Sequence, residues 1–235
     1  MWQSVDPLAD KYPGLSGYSY VFNSPINYID PDGRDAILIV FPDYKIEAYG
    51  RKWSGLGHAG VLLIDNKTGY TRYYEYGRYE SDRGEVRNVR VPNVKIGKDG
   101  KPTVESLNKV LAKISKASGK GGKIEGAYIK SDKFDEMRDY AEGRLKENSN
   151  SERKSYDIQT NNCGTFACDV VKQDETVKDD APGIVDPRPT SVIDEYRGTF
   201  DKVDYDPKNG TKITPTKTLT EKAKDFIKGF FNKQD

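Results

Sequence analysis

Asn161-Asn162-Cys163-Gly164-Thr165-Phe166-Ala167-Cys168-Asp169-Val170-Val171 is the stretch on which the rest of the chain is organised. Two asparagines precede a cysteine. Phe166, Ala167, Val170 and Val171 then repeat at helical spacing, so a short helix is expected to begin at Cys163. A thiol at a helix N-terminus sits among free N–H groups at the positive end of the dipole, which favours the thiolate. Cysteine chemistry also needs a base, and the chain holds a single histidine, His58. Cys168, one turn further on, reads as a small buried hydrophobe.

Working outward, His58 opens His58-Ala59-Gly60-Val61-Leu62-Leu63-Ile64, an expected strand. The turn Asp65-Asn66-Lys67-Thr68-Gly69 and a return strand from Tyr70 to Tyr76 follow it. By period-2 alternation Tyr73 and Glu75 share one face of that strand, and Tyr74 and Tyr76 the other. Glu75 is its only carboxylate and is the candidate to orient the imidazole, with Tyr74 or Tyr76 as alternatives; both tyrosines are also candidate oxyanion or substrate residues in the groove wall. Arg78 either grips a substrate carboxylate or forms a salt bridge. Further strands are expected over 36–41, 86–91 and 124–130, and a brief one over 156–158. Helices are expected after Thr103 and Ser131, with a short helical turn at 192–196. Residues 43–57 and 147–155 read as loops, 173–190 as an acidic Pro-rich loop, and 199–218 as irregular. A terminal amphipathic helix over 219–235 carries Leu219, Phe226, Ile227, Phe230 and Phe231 on one face and is expected to dock on the core.

Composition narrows the function classes. The chain has 235 residues, with Lys+Arg 38 against Asp+Glu 37 and a net charge of +1, which gives no electrostatic footprint for nucleic acid. Charged residues make up 32% and hydrophobic ones 35%, and mean hydropathy is −0.81. No apolar run approaches the ~18 residues of a membrane span, so no stable membrane insertion is expected, and no leader segment is visible. Two cysteines and one histidine do not make a disulfide framework or a common zinc site, so no metal and no cofactor are expected.

Two resemblances add to this. Gly57-His58-Ala59-Gly60-Val61 and Asn162-Cys163-Gly164-Thr165-Phe166 resemble the H-x-G-[IV] strand and the N-C-x-x-F helix start of the circularly permuted papain-like group. That group includes lecithin:retinol acyltransferase-like proteins and bacterial amidases. The resemblance implies an α+β fold, an antiparallel sheet packed against helices. It also implies a cysteine hydrolase with Cys163 as nucleophile, His58 as base and Glu75 as orienter. The oxyanion donors would be the Cys163 N–H and a side chain such as Asn162 or Gln159. The acyltransferase branch has a second histidine on the next strand, which is missing here, and this favours a hydrolase.

Separately, residues 1–34 are turn-rich. Asp6-Pro7-Leu8-Ala9, Pro25-Ile26-Asn27 and Asp30-Pro31-Asp32-Gly33-Arg34 resemble the end of the core of RHS-repeat (YD-repeat) polymorphic toxins. That resemblance implies an irregular N-terminal remnant of the RHS core, in which Asp6 and Asp30 match an autoprotease pair cutting near Arg34. It implies a toxin domain over 35–218, followed by the helix at 219–235. It further implies an enclosing RHS cage, a secretion apparatus, a cognate immunity protein and delivery by a bacterium into the periplasm or cytoplasm of a target cell. The substrate expected for such a toxin is an amide bond in peptidoglycan stem peptides, with a lipid acyl hydrolase, a protein deamidase or a non-enzymatic binding toxin as alternatives.

Overall fold

The computed structural model describes residues 34–48, 51–53 and 55–216. Asp6, Asp30 and the expected helix at 219–235 lie outside the described residues. The frame is a seven-stranded antiparallel sheet in the order β6-β5-β4-β1-β7-β8-β9. Its centre is β1 (Arg34–Phe41), whose apolar run Ala36–Phe41 is buried on both faces. On one side β1 pairs with β4 (His58–Asp65), then β5 (Tyr70–Gly77) and β6 (Glu85–Val89). On the other it pairs with β7 (Ile124–Ser131), then β8 (Asp201–Asp206) and β9 (Gly210–Thr214).

Helices cover both faces. One carries α1 (Val104–Ser118), which buries Leu107, Val110, Leu111 and Ile114 against Ile37, Ile39, Leu62 and Tyr73. The other carries α2 (Phe134–Lys146), α3 (Cys163–Val171) and α5 (Pro189–Thr199), packed over Leu38, Val61, Leu63 and Tyr74. The short α4 (Glu175–Asp180) follows α3 and is capped by Asp174. This is the expected α+β architecture, with the expected strands over 36–41, 58–64, 70–76, 86–91 and 124–130 and the helices after Thr103 and Ser131 and at Cys163 in order.

Several local readings are corrected. The 43–57 loop contains a small hairpin, β2 (Ile46–Ala48) and β3 (Arg51–Trp53). Ser131 does not cap α2, because it ends β7 opposite Arg34; its hydroxyl accepts from Lys133 N–H and donates to Asp174. Residues 156–158 form no strand: a turn is closed by paired bonds between Asp157 and Asn161, and the Asp157 carboxylate accepts from Gln159 and Thr160 N–H. The region after residue 199 is a hairpin extending the sheet, with Val203 and Tyr205 facing inward and an Asn209-Gly210 turn. Arg34 does not belong to an irregular segment. It takes the first ladder position of β1, opposite Asp65 and Ser131, and pairs with Asp135 at 3.0 Å.

Candidate active site

The α3 N-terminus is built around Asn162, which is fully buried. Its Oδ1 accepts from the N–H groups of Gly164 (2.8 Å) and Thr165 (3.0 Å), and Thr165 Oγ1 accepts from Asn162 N–H (2.8 Å). This reciprocal capping box satisfies donors that the helix leaves open. Asn162 Nδ2 donates to the carbonyls of Ile158 (2.7 Å) and Pro187 (3.1 Å), joining two loops to the helix start. All the hydrogen-bonding capacity of the Asn162 amide is therefore engaged, and the expectation that it serves as an oxyanion donor is corrected. None of these bonds uses the Cys163 N–H.

His58 starts β4 opposite Phe41. Its ring stacks on Phe41 (centroids 6.0 Å, 15°), tilts against Tyr44 (5.4 Å) and meets Tyr79 edge-on (6.3 Å). Gly57 before it has φ +69°, and a Cβ there would lie 2.8 Å from Thr190 Cγ2. Glycine is thus needed both for the backbone turn and for the approach of α5.

Glu75 on β5 is buried. Its Oε2 lies 3.1 Å from His58 Nε2 and accepts from the Tyr73 hydroxyl at 3.3 Å. The Tyr79 hydroxyl stands 3.2 Å from the same His58 nitrogen and also bonds to Glu75. Burial opposes the charge on Glu75. The hydrogen bond to His58 and its charge reverse that, and the carboxyl is held below its ordinary value.

Cys163 is buried, and its thiol is near enough to His58 to raise the imidazole pKa. Burial disfavours the imidazolium, but the bonds to Cys163 and Glu75 and the charges on both outweigh it, and the imidazole pKa rises to about 10. Cys168 is different in kind: burial pushes its thiol up to about 12, and it packs near Tyr196.

Cys163, His58 and Glu75 are thus brought together. Tyr74 and Tyr76 turn away from Glu75 to the sheet face on which α3 packs, where the Tyr76 ring meets Phe166 (centroids 5.9 Å). There the Tyr74 hydroxyl donates to Glu142 (2.6 Å). The Tyr76 hydroxyl donates to the Arg83 carbonyl (3.1 Å) and accepts from Asn161 Nδ2 (3.0 Å). Residues the motifs do not mark surround the site instead. Tyr79 is covered by the Arg87 guanidinium, 3.4 Å from its ring centroid. Tyr156 lies near Cys163, and the exposed Arg78 guanidinium lies 5.0 Å from the Tyr156 ring centroid. Tyr73 could have been found from strand alternation; Tyr79, past the end of β5, carries no such signal. Among the described residues no group of three or more His, Cys, Asp or Glu is placed to hold a metal ion, and no helix is long and apolar enough to cross a membrane.

The order of parts, a histidine strand followed by a cysteine-bearing helix against an antiparallel sheet, defines an α+β domain of permuted papain-like arrangement. Residues 36–178 match the family described as type VI secretion system effector TseH-like, and the chain belongs to that family. The crystal structure of the type VI secretion system effector TseH is similar to it, with 35% identity and a TM-score of 0.70. The match covers 79% of this chain and 100% of that one. Comparison with curated proteins gives no match. A type VI effector is delivered by its secretion apparatus into target cells.

Proposed function

We propose that this effector is an antibacterial cysteine hydrolase acting on an amide bond, with peptidoglycan stem peptides as substrate. The observation that carries the reading is the hydrogen bond of His58 to the buried, ionised Glu75, with the Cys163 thiol near enough to raise the imidazole pKa. The Cys163 sulfur attacks the amide carbon, and the oxyanion forms beside the Cys163 N–H at the helix N-terminus. Imidazolium gives its proton to the departing amine, leaving a thioester. Imidazole then takes a proton from water, which attacks the thioester and releases the carboxylate and the thiol. Glu75 fixes the imidazole orientation and stabilises its charge. Arg78 beside Tyr156 offers a cation to the free carboxylates that stem peptides carry.

A second reading, a lipid acyl hydrolase on the same residues, is favoured by one observation. The two loops tied by Asn162 expose Ile158 (51%) and Val185 (92%). Periplasmic and cytosolic expression of parent and Cys163→Ala, with isolated peptidoglycan and phospholipid as in vitro substrates, tests both. Toxicity confined to the periplasm with release of new amino groups from the wall supports the first. Equal toxicity of Cys163→Ala would sink either.

In this reading a cognate immunity protein blocks the cleft in the producing cell. Residues 1–33 are the end of an RHS-like core, and the toxin domain follows. A cut at Arg34/Asp35 would fall within the ladder of β1, so it would have to precede closure of the sheet.

A further inference from the structure

Away from the thiol, a cleft of about 730 Å³ opens where β5 begins and the chain leaves β6. Arg72, Arg90 and Lys113 line it together with Asn88, Asn93 and Tyr70, and no Asp or Glu does. The chain as a whole is almost neutral, so three cations around one cleft are a local segregation of charge. Among the described residues none of the three makes an ion pair. The nearby acids of α2 are committed elsewhere: Glu142 accepts from Tyr74 and Asn88, Asp135 pairs with Arg34 and Arg138, and Asp139 pairs with Arg138. The Arg72 guanidinium lies 5.0 Å from the Tyr70 ring centroid, and its buried Nε–H has no hydrogen-bond partner in the protein. A buried donor on a charged fork is costly to leave unmade.

We propose that this cleft binds a phosphate group. A ligand of two or more negative charges gains more from a cleft lined by three cations and no acid than a single carboxylate does. The site is separate from the proposed hydrolytic one. Arg72 precedes Glu75 by three residues, roughly 10 Å along the strand, and Cys163, His58 and Glu75 do not line the cleft. The phosphate comes from a free phosphoryl compound or from a phospholipid headgroup at a membrane surface, and the test separates the two.

The purified full chain is titrated calorimetrically with inorganic pyrophosphate at low salt. It is also sedimented with vesicles of phosphatidylglycerol or of phosphatidylcholine. The same is done for Arg72→Gln and for the surface pair Arg90→Gln/Lys113→Gln, with thermal melts as the control for folding. Saturable pyrophosphate binding that the surface pair weakens about tenfold or more, and that salt suppresses, supports a phosphoryl ligand. Binding to phosphatidylglycerol vesicles alone, lost in the same variant, supports the headgroup. Absence of binding to either probe, or undiminished binding by a folded surface-pair variant, overturns the proposal. Equal affinity for malonate overturns the choice of phosphate. If Arg72→Gln does not fold, the surface pair decides.

Discussion

His58 and Glu75 meet across the β4–β5 ladder without being register partners. Gly60 stands opposite Glu75, and His58 lies two residues further along β4, so Nε2 and Oε2 come together on the diagonal at 3.1 Å. The diagonal needs a glycine at its corner, because a side chain at position 60 would occupy the space now filled by Tyr73. A Cβ on Gly60 would lie 2.4 Å from the Tyr73 hydroxyl oxygen and 2.7 Å from its Cζ.

Gly60→Ala should therefore destabilise the fold by about 1–3 kcal/mol, since Tyr73 is fully buried and has nowhere to retreat. It should also slow alkylation of Cys163 by iodoacetamide, through loss of the Tyr73 bond to Glu75. Tyr73→Phe separates the two effects, keeping the packing and removing only the hydroxyl. Chemical denaturation and alkylation rates measure both, and an unchanged melt for Gly60→Ala would contradict the geometry.

Glu75→Gln keeps the shape of the carboxylate and removes its charge. Hydrolysis is expected to fall about 10²- to 10⁴-fold with little loss of folded protein, as for an orienting carboxylate in a nucleophile–imidazole–acid chain. The imidazole pKa should fall from about 10 toward its ordinary range, read by NMR titration of the single histidine. A parent-like titration in Glu75→Gln would show that the carboxylate does not govern His58.

The pH dependence of stability has a definite sign. The folded imidazole pKa is raised, so its contribution is fully present below about 6.5 and is lost as pH rises through about 10. Glu75 is lowered, so its contribution is present above the ordinary carboxyl value of 4.5 and is lost as pH falls through the depressed one. The stability gap between parent and His58→Gln should shrink between pH 6.5 and about 10. Urea unfolding across that window tests it, and a constant gap would contradict a charged His58.

Asn162→Ala should cost about 0.5–2 kcal/mol for the lost cap. It should also release the loops at Ile158 and Pro187, so that limited proteolysis cuts sooner within 155–160 and 182–188. Asn162→Asp retains the acceptor for Gly164 and Thr165 but loses both donors. Its helix should survive while its loops loosen, a separation seen only if the two halves of the amide do different work.

What could be read in the sequence followed from local pattern. The buried runs 36–41 and 58–64 alternate or stay apolar as strands do, and Thr103 and Asn162 are cap residues ahead of helical periodicity. The sharing of a face by Tyr73 and Glu75 followed from strand period alone. What could not be read depended on distant parts of the chain. Ser131 has the chemistry of a helix cap, yet the ladder with β1 claims it first. The hairpin at 201–214 has few apolar residues, and it is held by pairing with β7, distant in sequence, with Arg197 bonding the Gly126 carbonyl. Period 2 also placed Tyr74 and Tyr76 on the face away from Glu75, but not their partners there, Glu142 and Asn161, which come from distant elements. Tyr79 reaches the imidazole from a loop whose course no periodicity encodes.

The central position of β1 bears on the timing of toxicity. The base and the thiol are roughly a hundred residues apart in sequence, and they meet only once β4 has paired with β1 and α3 has packed over the sheet. Pairings across such separations form slowly. Until they form, Cys163 is an ordinary thiol with no imidazole beside it and no helix end beneath it. On the proposed function, a chain still extended, whether newly synthesised or in transit, is chemically dormant, and sheet closure serves as the arming step.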